Sequence, residues 1–429
     1  MQSLGPLRLT KRLGKSIICW FLEHQTKKLI NKHSLKLVAV VGSVGKTSTK
    51  LAIAKTLSAS SDVIYQEGNY NDRLTVPLVL FNQDVPSLFN IIAWAKIYIA
   101  NNKIISGNYP YKYAVLELGT DRPGEIAKFA YLKPDITVVT AVAEEHLEFF
   151  KTLDNVAKEE LAVFKYSRAV LVNRDDVSDR YLSGFNFKTY GLSRGADYSA
   201  KVSRDNDLNG SELEVSTPRG NLKVKAEVLG SQGNKLIVAA AATASLLGLS
   251  LDEIYKGLKN VRSFSGRMNI LRGINNSTII DDSYNASPAS TKAGLDVLYA
   301  SKAKKRIAVL GSMNELGDYS AEAHRSIGNY CRSDKLALVV TIGSDAGKYL
   351  APLAVKSGCQ VKSFKNSNEA GEYLKKQITD GTVILVKGSQ NRVFAEEAIK
   401  PLLKNKNDQN LLVRQSKAWL AQKARQSST

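Results

Sequence analysis

Lys46 and Thr47 close a glycine-bracketed turn, Gly42-Ser43-Val44-Gly45, and open a stretch (50–57) with helical apolar spacing. The run before the turn, Val38-Ala39-Val40-Val41, is β-branched and apolar enough to read as a buried strand. Strand, glycine turn, Lys-Thr and helix in that order make a phosphate-binding loop. Glycines let backbone N–H groups converge on phosphate oxygens, the lysine balances their charge, and the hydroxyl holds Mg²⁺ at the helix N-terminus. The loop is the short GxxGKT form, because the position where a longer loop carries its first glycine is Val40. A carboxylate for the same metal follows at Glu117, which ends a strand over 113–118. The carboxyl end of a parallel strand beside a phosphate loop is where α/β nucleotide folds hold Mg²⁺. His146, in Glu144-Glu145-His146-Leu147-Glu148, lies just past a strand over 136–142. A lone histidine is more often structural, but this position beside the loop and Glu117 favours a ligand role.

These groups need a scaffold, and the chain has the length for one. At 429 residues it exceeds one ordinary core, so two or three domains are expected. Sixty Lys and Arg against 40 Asp and Glu give a net charge of +20, which suits nucleotides, nucleotide-linked substrates, a phospholipid surface or nucleic acid without choosing among them. Cys19, Cys331 and Cys359 form no CxxC pair, read as packing residues and fit a reducing cytoplasm. No apolar run approaches the roughly 20 residues of a membrane span. Residues 1–36 read as a basic amphipathic helix, with Leu9, Leu13, Ile17, Ile18, Phe21 and Leu22 at helical spacing. That helix either packs on its own domain or, through residues 1–30, contacts a membrane surface. A second strand over 62–65 delivers Gln66-Glu67-Gly68-Asn69-Tyr70-Asn71-Asp72, and 86–111 is apolar, aromatic and basic. Polar strands over 185–230 turn at Gly210 and Gly220. Strands over 306–310, 336–342 and 382–386 alternate with helical patterns as a second α/β unit, and 406–429 reads as a loosely held polar tail.

Taken in order, GxxGKTS, GNxN, Leu116-Glu117-Leu118-Gly119 and a strand ending in His-Leu-Glu resemble the ATPase domain of the Mur ligases, which build the peptidoglycan stem peptide in bacteria. Ser265-Gly266-Arg267-Met268 resembles the segment closing that domain. The stretch Ile280-Asp281-Asp282-Ser283-Tyr284-Asn285-Ala286-Ser287-Pro288 is similar to one in the family branch that adds D-alanyl-D-alanine. Val309 to Gly317, His324 and Val386-Lys387-Gly388-Ser389 extend the resemblance over roughly residues 37–405. It implies an α/β fold: a P-loop central ATPase domain with a parallel sheet (37–265), then a Rossmann-like C-terminal domain (266–405). The implied activity is an ATP- and Mg²⁺-dependent amide ligase working through an acyl phosphate. Its expected partners are a nucleotide-linked peptide acceptor and D-alanyl-D-alanine or another amine, with no nucleic acid and a monomeric state. Residues 42–48, from Gly42 through Ser43, Val44, Gly45, Lys46 and Thr47 to Ser48, would bind ATP, with Arg267 and Asp282 on its phosphates and ribose. Thr47 and Glu117 would hold one metal and His146 a second, while Asn69, Asn71, Tyr284 and Asn285 would face substrate.

Four departures from the family pattern carry consequences. The usual N-terminal domain of about a hundred residues, which grips the acceptor's UDP end, is not seen ahead of the loop at Gly42, which leaves the acceptor's identity open. The family's carbamylated lysine, counted from His146, falls on Glu160, and the nearest lysine is Lys158. Either Glu160 supplies the metal-bridging charge permanently, or Lys158 is modified after a small shift of helix register. The adenine-contacting asparagine before the Ala-rich helix has no clean match, Asn234 being out of register. Ser312 stands for an aspartate and Thr75 for a glycine. Rival readings are another P-loop enzyme, a Mur-like binding module, and a ligase for a lipid-linked or polyglutamyl carboxylate.

Overall fold

The computed structural model describes residues 6–68 and 70–427, with side chains from 14 to 425. Asn69, assigned above to substrate, and the side chains of Leu9 and Leu13 lie outside the described residues. The first half runs α1 (Pro6–His33), β1 (Lys36–Val41), α2 (Lys46–Leu57), β2 (Val63–Tyr65), α3 (Thr75–Leu80), α4 (Ile91–Ser106), β3 (Tyr113–Glu117) and β4 (Ile136–Val139). It continues through α5 (Leu147–Phe150), α6 (Leu153–Glu160), β5 (Ala169–Asn173), β6 (Lys188–Gly191), β7 (Tyr198–Asp205), β8 (Ser211–Thr217), β9 (Gly220–Ala226), α7 (Gly230–Leu246) and α8 (Leu251–Leu258). Its nine strands form one sheet, ordered β2-β3-β1-β4-β5-β6-β7-β8-β9. Neighbours from β2 to β7 are parallel, and β7, β8 and β9 add an antiparallel extension turning at Gly210 and Gly220.

This order places the chemistry. β1 is buried on both faces and lies between β3 and β4, so the strand order reverses there, and ligands bind at such a switch point outside the carboxyl ends of the strands. The loop 42–45, Glu117 and the segment running to His146 leave these three strands side by side. Behind them α2 packs on the alanine-rich α7, whose Ala239 to Ala242 are fully buried. Small side chains let the two helices approach closely and hold the N-terminus of α2 rigidly under the loop.

The second half has β10 (Asn269–Arg272), β11 (Thr278–Asp282), α9 (Pro288–Ala300), β12 (Lys305–Gly311), α10 (Ser320–Tyr330), β13 (Leu338–Ile342), α11 (Ala351–Lys356), β14 (Val361–Phe364), α12 (Ser367–Lys375), β15 (Thr382–Lys387) and α13 (Lys417–Ser427). Its sheet is ordered β10-β11-β15-β12-β13-β14, parallel except for β10.

Two expectations are corrected. In α1 the packing face is Cys19, Leu22, Thr26 and Leu29, all buried against the first domain, whereas Ile17 and Phe21 point outward. A helix with apolar residues on more than one face cannot be oriented by spacing alone. The tail is not loose: Arg414, on the segment before α13, pairs with the fully buried Glu396 at 2.5 Å and donates to the carbonyls of Ser283 and Tyr284, while Lys423 of α13 pairs with Glu396 and Glu397. Burial alone would raise the Glu396 carboxyl, but Arg414 and Lys423 hold it below its ordinary range. Removing one partner from a buried ion cluster leaves an uncompensated charge. Arg414→Ala is therefore expected to destabilise the second domain by about 3–5 kcal/mol, measured by denaturant unfolding. A loss under about 1 kcal/mol would show the cluster to be a surface contact.

Candidate active site

The site grows from one turn. Gly42 has φ +121° and Gly45 has φ +87°, and a Cβ on Gly42 would sit 2.4 Å from Thr140 Oγ1 and 2.8 Å from the Ala141 amide nitrogen. Only glycine lets the loop lie flat on the end of β4 with a left-handed backbone. Ser43 pins the loop from the other side: its N–H donates to the Ala141 carbonyl at 2.9 Å, and its Oγ accepts from the Ala143 N–H at 3.0 Å. The loop then hands its direction to α2, whose first N–H groups lack intrahelical partners and point into the cavity as an anion site.

Lys46 Nζ donates to the Gly42 carbonyl at 2.6 Å and lies 3.6 Å from Glu145 Oε2. Burial pulls its pKa down, but Glu145, Glu160 and Glu117 pull harder, so the ammonium stays charged. Thr47 Oγ1 accepts from Arg267 Nη2 of the second domain at 3.4 Å. Glu117 is buried, with Lys50 Nζ 3.7 Å from its Oε2 and Asn71 Nδ2 3.5 Å from its Oε1. His146, in a left-handed backbone conformation, places Nδ1 3.0 Å from Glu315 Oε2 of the second domain and Nε2 3.6 Å from Glu145 Oε1. Burial lowers the imidazole pKa, yet the Glu315 carboxylate 3.0 Å from Nδ1 and the charge of Glu145 raise it overall.

Lys46, Thr47, Glu117 and His146 line one cavity of about 680 Å³ with Asn71, Arg267, Tyr284 and Asn285, so both domains build it. A smaller lobe of about 100 Å³ shares Val44, Gly45 and Arg267 with it and adds Ser48, Asn173, Phe264, Leu236 and Asp282. Its apolar walls suit a planar base. Within it the Asp282 carboxylate is fixed by Lys387 Nζ at 2.6 Å.

These residues fit a nucleoside triphosphate and its cation. Arg267 Nε and Glu145 Oε2, a donor and an acceptor on two side chains that line this cavity, are buried without a hydrogen-bond partner. The described residues hold no cluster of three or more His, Cys, Asp or Glu side chains built to cage a metal. Mg²⁺ does not require one, because it keeps waters and phosphate oxygens and takes one or two protein carboxylates.

Residues 98–244 match the Mur ligase middle domain, and residues 266–390 match the Mur ligase glutamate ligase domain. The UDP-N-acetylmuramoyl-tripeptide--D-alanyl-D-alanine ligase of Escherichia coli (strain K12) is 30% identical over 381 residues, which are 86% of this chain and 77% of that one. The chain belongs to the Mur ligase family. It is an ATP-dependent ligase with ATP and Mg²⁺ as cofactors. The enzyme of the same name from Buchnera aphidicola subsp. Acyrthosiphon pisum is 28% identical over 392 residues, 87% of this chain and 78% of its own. Among solved structures, MurF from Acinetobacter baumannii superposes with a TM-score of 0.72 at 24% identity, over 87% of this Mur ligase and 77% of that chain. MurF from Thermotoga maritima, solved in complex with ADP, gives 0.71 at 24% identity, over 89% and 84%. At that identity the two structures speak for the shared fold.

In this Mur ligase three of the expected positions are corrected by the geometry. Asn234 is buried in α7 and does not line the base-sized lobe, which is walled from α7 by Gln232, Gly233, Lys235 and Leu236. The asparagine that reaches the lobe is Asn173, at the end of β5, which donates to the Thr140 carbonyl at 2.8 Å. Glu160 does not reach the cavity wall: its Oε2 accepts from the Gly42 N–H at 2.7 Å, beneath the loop. The arm is roughly 4 to 5 Å shorter than a carbamylated lysine's, so it ends at the loop backbone. Lys158 projects into solvent from the outer face of α6, away from the site.

Glu145, Glu315, Lys50 and Lys387 carry no sequence signature of these roles, although all but Lys50 stand within the motifs above. Lys50 follows Lys46 by one helical turn, which is the signal that places it beside Glu117. Ser312 is buried, and its Oγ accepts from the Ala346 N–H at 3.1 Å, which ties the end of β12 to the segment after β13. Thr75 donates its Oγ1 hydrogen to Asp72 Oδ1 at 2.8 Å, tightening the turn after Asn71.

Proposed function

We propose that this Mur ligase joins D-alanyl-D-alanine to a UDP-N-acetylmuramoyl-tripeptide, the reaction for which its relatives are named. The observation that carries the reading is the convergence of Lys46, Thr47, Glu117 and His146 with Arg267, Tyr284 and Asn285 on one cavity. A carboxylate oxygen of the acceptor attacks the γ-phosphorus and ADP leaves. The amine nitrogen then attacks the acyl carbon, phosphate leaves, and the nitrogen gives up a proton. Lys46, the α2 N-terminus and Arg267 oppose the charge gathering on the transferred group, and because they are fixed by the fold they need no reorganisation. Mg²⁺, held by Thr47 and Glu117 and in a second place by His146, would supply Lewis-acid charge on the phosphate oxygens. Reciprocal pairing of His146 with Glu315 ties the acceptor side of the cavity to the second domain, so that domain closure and site assembly coincide. ATP dependence and three buried, unpaired cysteines suit a cytoplasmic reaction.

A second reading, a different carboxylate acceptor, is favoured by one observation. Lys15, Ser16 and Cys19 of α1 wall the cavity beside Asp72 and Arg73, and Lys15 Nζ pairs with Asp72 Oδ2 at 3.0 Å. Repeated-turnover ADP release is expected only when UDP-N-acetylmuramoyl-tripeptide and D-alanyl-D-alanine are both present with ATP and Mg²⁺, the acceptor alone giving at most one ADP per enzyme. Release with neither would exclude ligation, and release with the amine and only a lipid-linked or polyglutamyl acceptor would move the chain to the second reading.

A further inference from the structure

α1 has two working faces. One packs into the domain and lines the cavity. The other presents Ile17, Trp20 and Phe21 to solvent, and α4 with the segment before it presents Phe89, Ile91 and Ile92, the last two 80% and 71% exposed. The two sets form one surface. Phe21 meets Tyr98 of α4 edge-on at 5.8 Å, the Gln25 side chain donates to the Tyr98 carbonyl at 2.9 Å, and Asn101 donates to Gln25 at 3.0 Å, which locks the helices together. Large apolar side chains grouped this way are rare on a monomer and mark a contact surface.

The chemistry beside the patch selects its partner. Lys27, Lys28, Lys96 and Lys103 are exposed along the same two helices. α4 contains no acidic residue, and Glu23, the one acid of α1, is taken by Arg73. A helical ridge that inserts aromatic and branched side chains and is fringed by lysines, on a chain of charge +20, complements an anionic bilayer surface. No described helix is long and apolar enough to cross a membrane, so contact would be peripheral. We propose that the α1–α4 ridge docks this enzyme on anionic phospholipid, with the cavity wall of Lys15, Ser16 and Cys19 on the inner side of the docked helix. This does not depend on which acceptor the site takes.

The test is cosedimentation of the full chain with vesicles of phosphatidylcholine containing about one-third phosphatidylglycerol. Binding is expected at low salt, weaker by about tenfold or more on phosphatidylcholine alone. Trp20→Ser, Ile91→Ser and Ile92→Ser combined should weaken it by about a hundredfold or more, with the ligase rate on soluble substrates unchanged. Deleting α1 is no substitute, because Leu22 and Leu29 belong to the core. The proposal is overturned if the wild type ignores the anionic vesicles, or if the triple variant binds them as well as the wild type does. It is equally overturned if the wild type self-associates without lipid and the triple variant does not, which would give the ridge to a second copy.

Discussion

Lys46→Ala is expected to abolish ligation, lowering kcat by about 10³-fold or more, while the fold survives. The ammonium is the charge fixed nearest the loop, held 2.6 Å from the Gly42 carbonyl and kept protonated by Glu145, Glu160 and Glu117. Arg267 can oppose phosphate charge too, but it reaches across from the second domain and cannot replace a group built into the loop. Alanine is the best helix former, so the first turn of α2 loses little. Deleting Lys46 also removes a neutralising partner from buried carboxylates, and those can take up protons, which limits the cost to folding. Single-turnover ADP formation and a thermal melt check both halves. A folded variant with near-wild-type turnover would sink the assignment of the loop.

Glu160 carries the second large effect. Burial pushes its carboxyl up to about 7 against the pull of Lys46, and its one hydrogen bond to the Gly42 N–H fixes the start of the loop. It is a positioning residue, acting through Gly42 and through its charge on Lys46. Glu160→Gln keeps an acceptor for the Gly42 N–H but removes the charge, and should cost about ten- to a hundredfold in kcat/KM. Because no lysine occupies this place and Lys158 faces solvent, depleting CO₂ and Lys158→Ala should each leave the rate unchanged. The pH dependence of stability separates position from packing. Below the ordinary glutamate pKa of 4.5 both folded and unfolded chains hold the proton. Between there and about 7 only the folded chain holds it, so unfolding releases a proton and stability falls as pH rises through that window. In Glu160→Gln this component of the slope should vanish. Activity lost on CO₂ removal, restored by bicarbonate and mirrored by Lys158→Ala, would overturn the placement of Glu160.

The loop, β1, β3, β4 and the strands of the second sheet were legible because each is a local pattern: a β-branched run, a glycine turn, a carboxylate at a strand end. Counting from His146 leads to Glu160 but does not give its target. A count fixes a place on a helix, and only packing shows where a shorter arm stops. Contacts between distant segments left no local trace. Glu315 gave no hint that it would meet His146, nor did Arg414, in a stretch that reads as a loosely held polar tail, hint that it would close on Glu396. The face that α1 buries was equally hidden, since Cys19 and Ile17 are comparable in hydrophobicity and only the partner helix decides between them.

The order of strands in the second sheet bears on how the chain is made. β15 lies between β11 and β12 and pairs in parallel with both, so residues 278–282 and 305–311 stay unpaired on those edges until residues 382–387 have been synthesised. The first sheet is different: all of its strands are complete by Ala226, and the last residue of its core is Val261. At ordinary synthesis rates the interval between Val261 and Lys387 is roughly 6 to 25 s. During that interval a folded nucleotide-loop domain can stand on the ribosome beside a partner with two apolar strand edges exposed, which makes the second domain the part of this protein most open to wrong pairing while it is made.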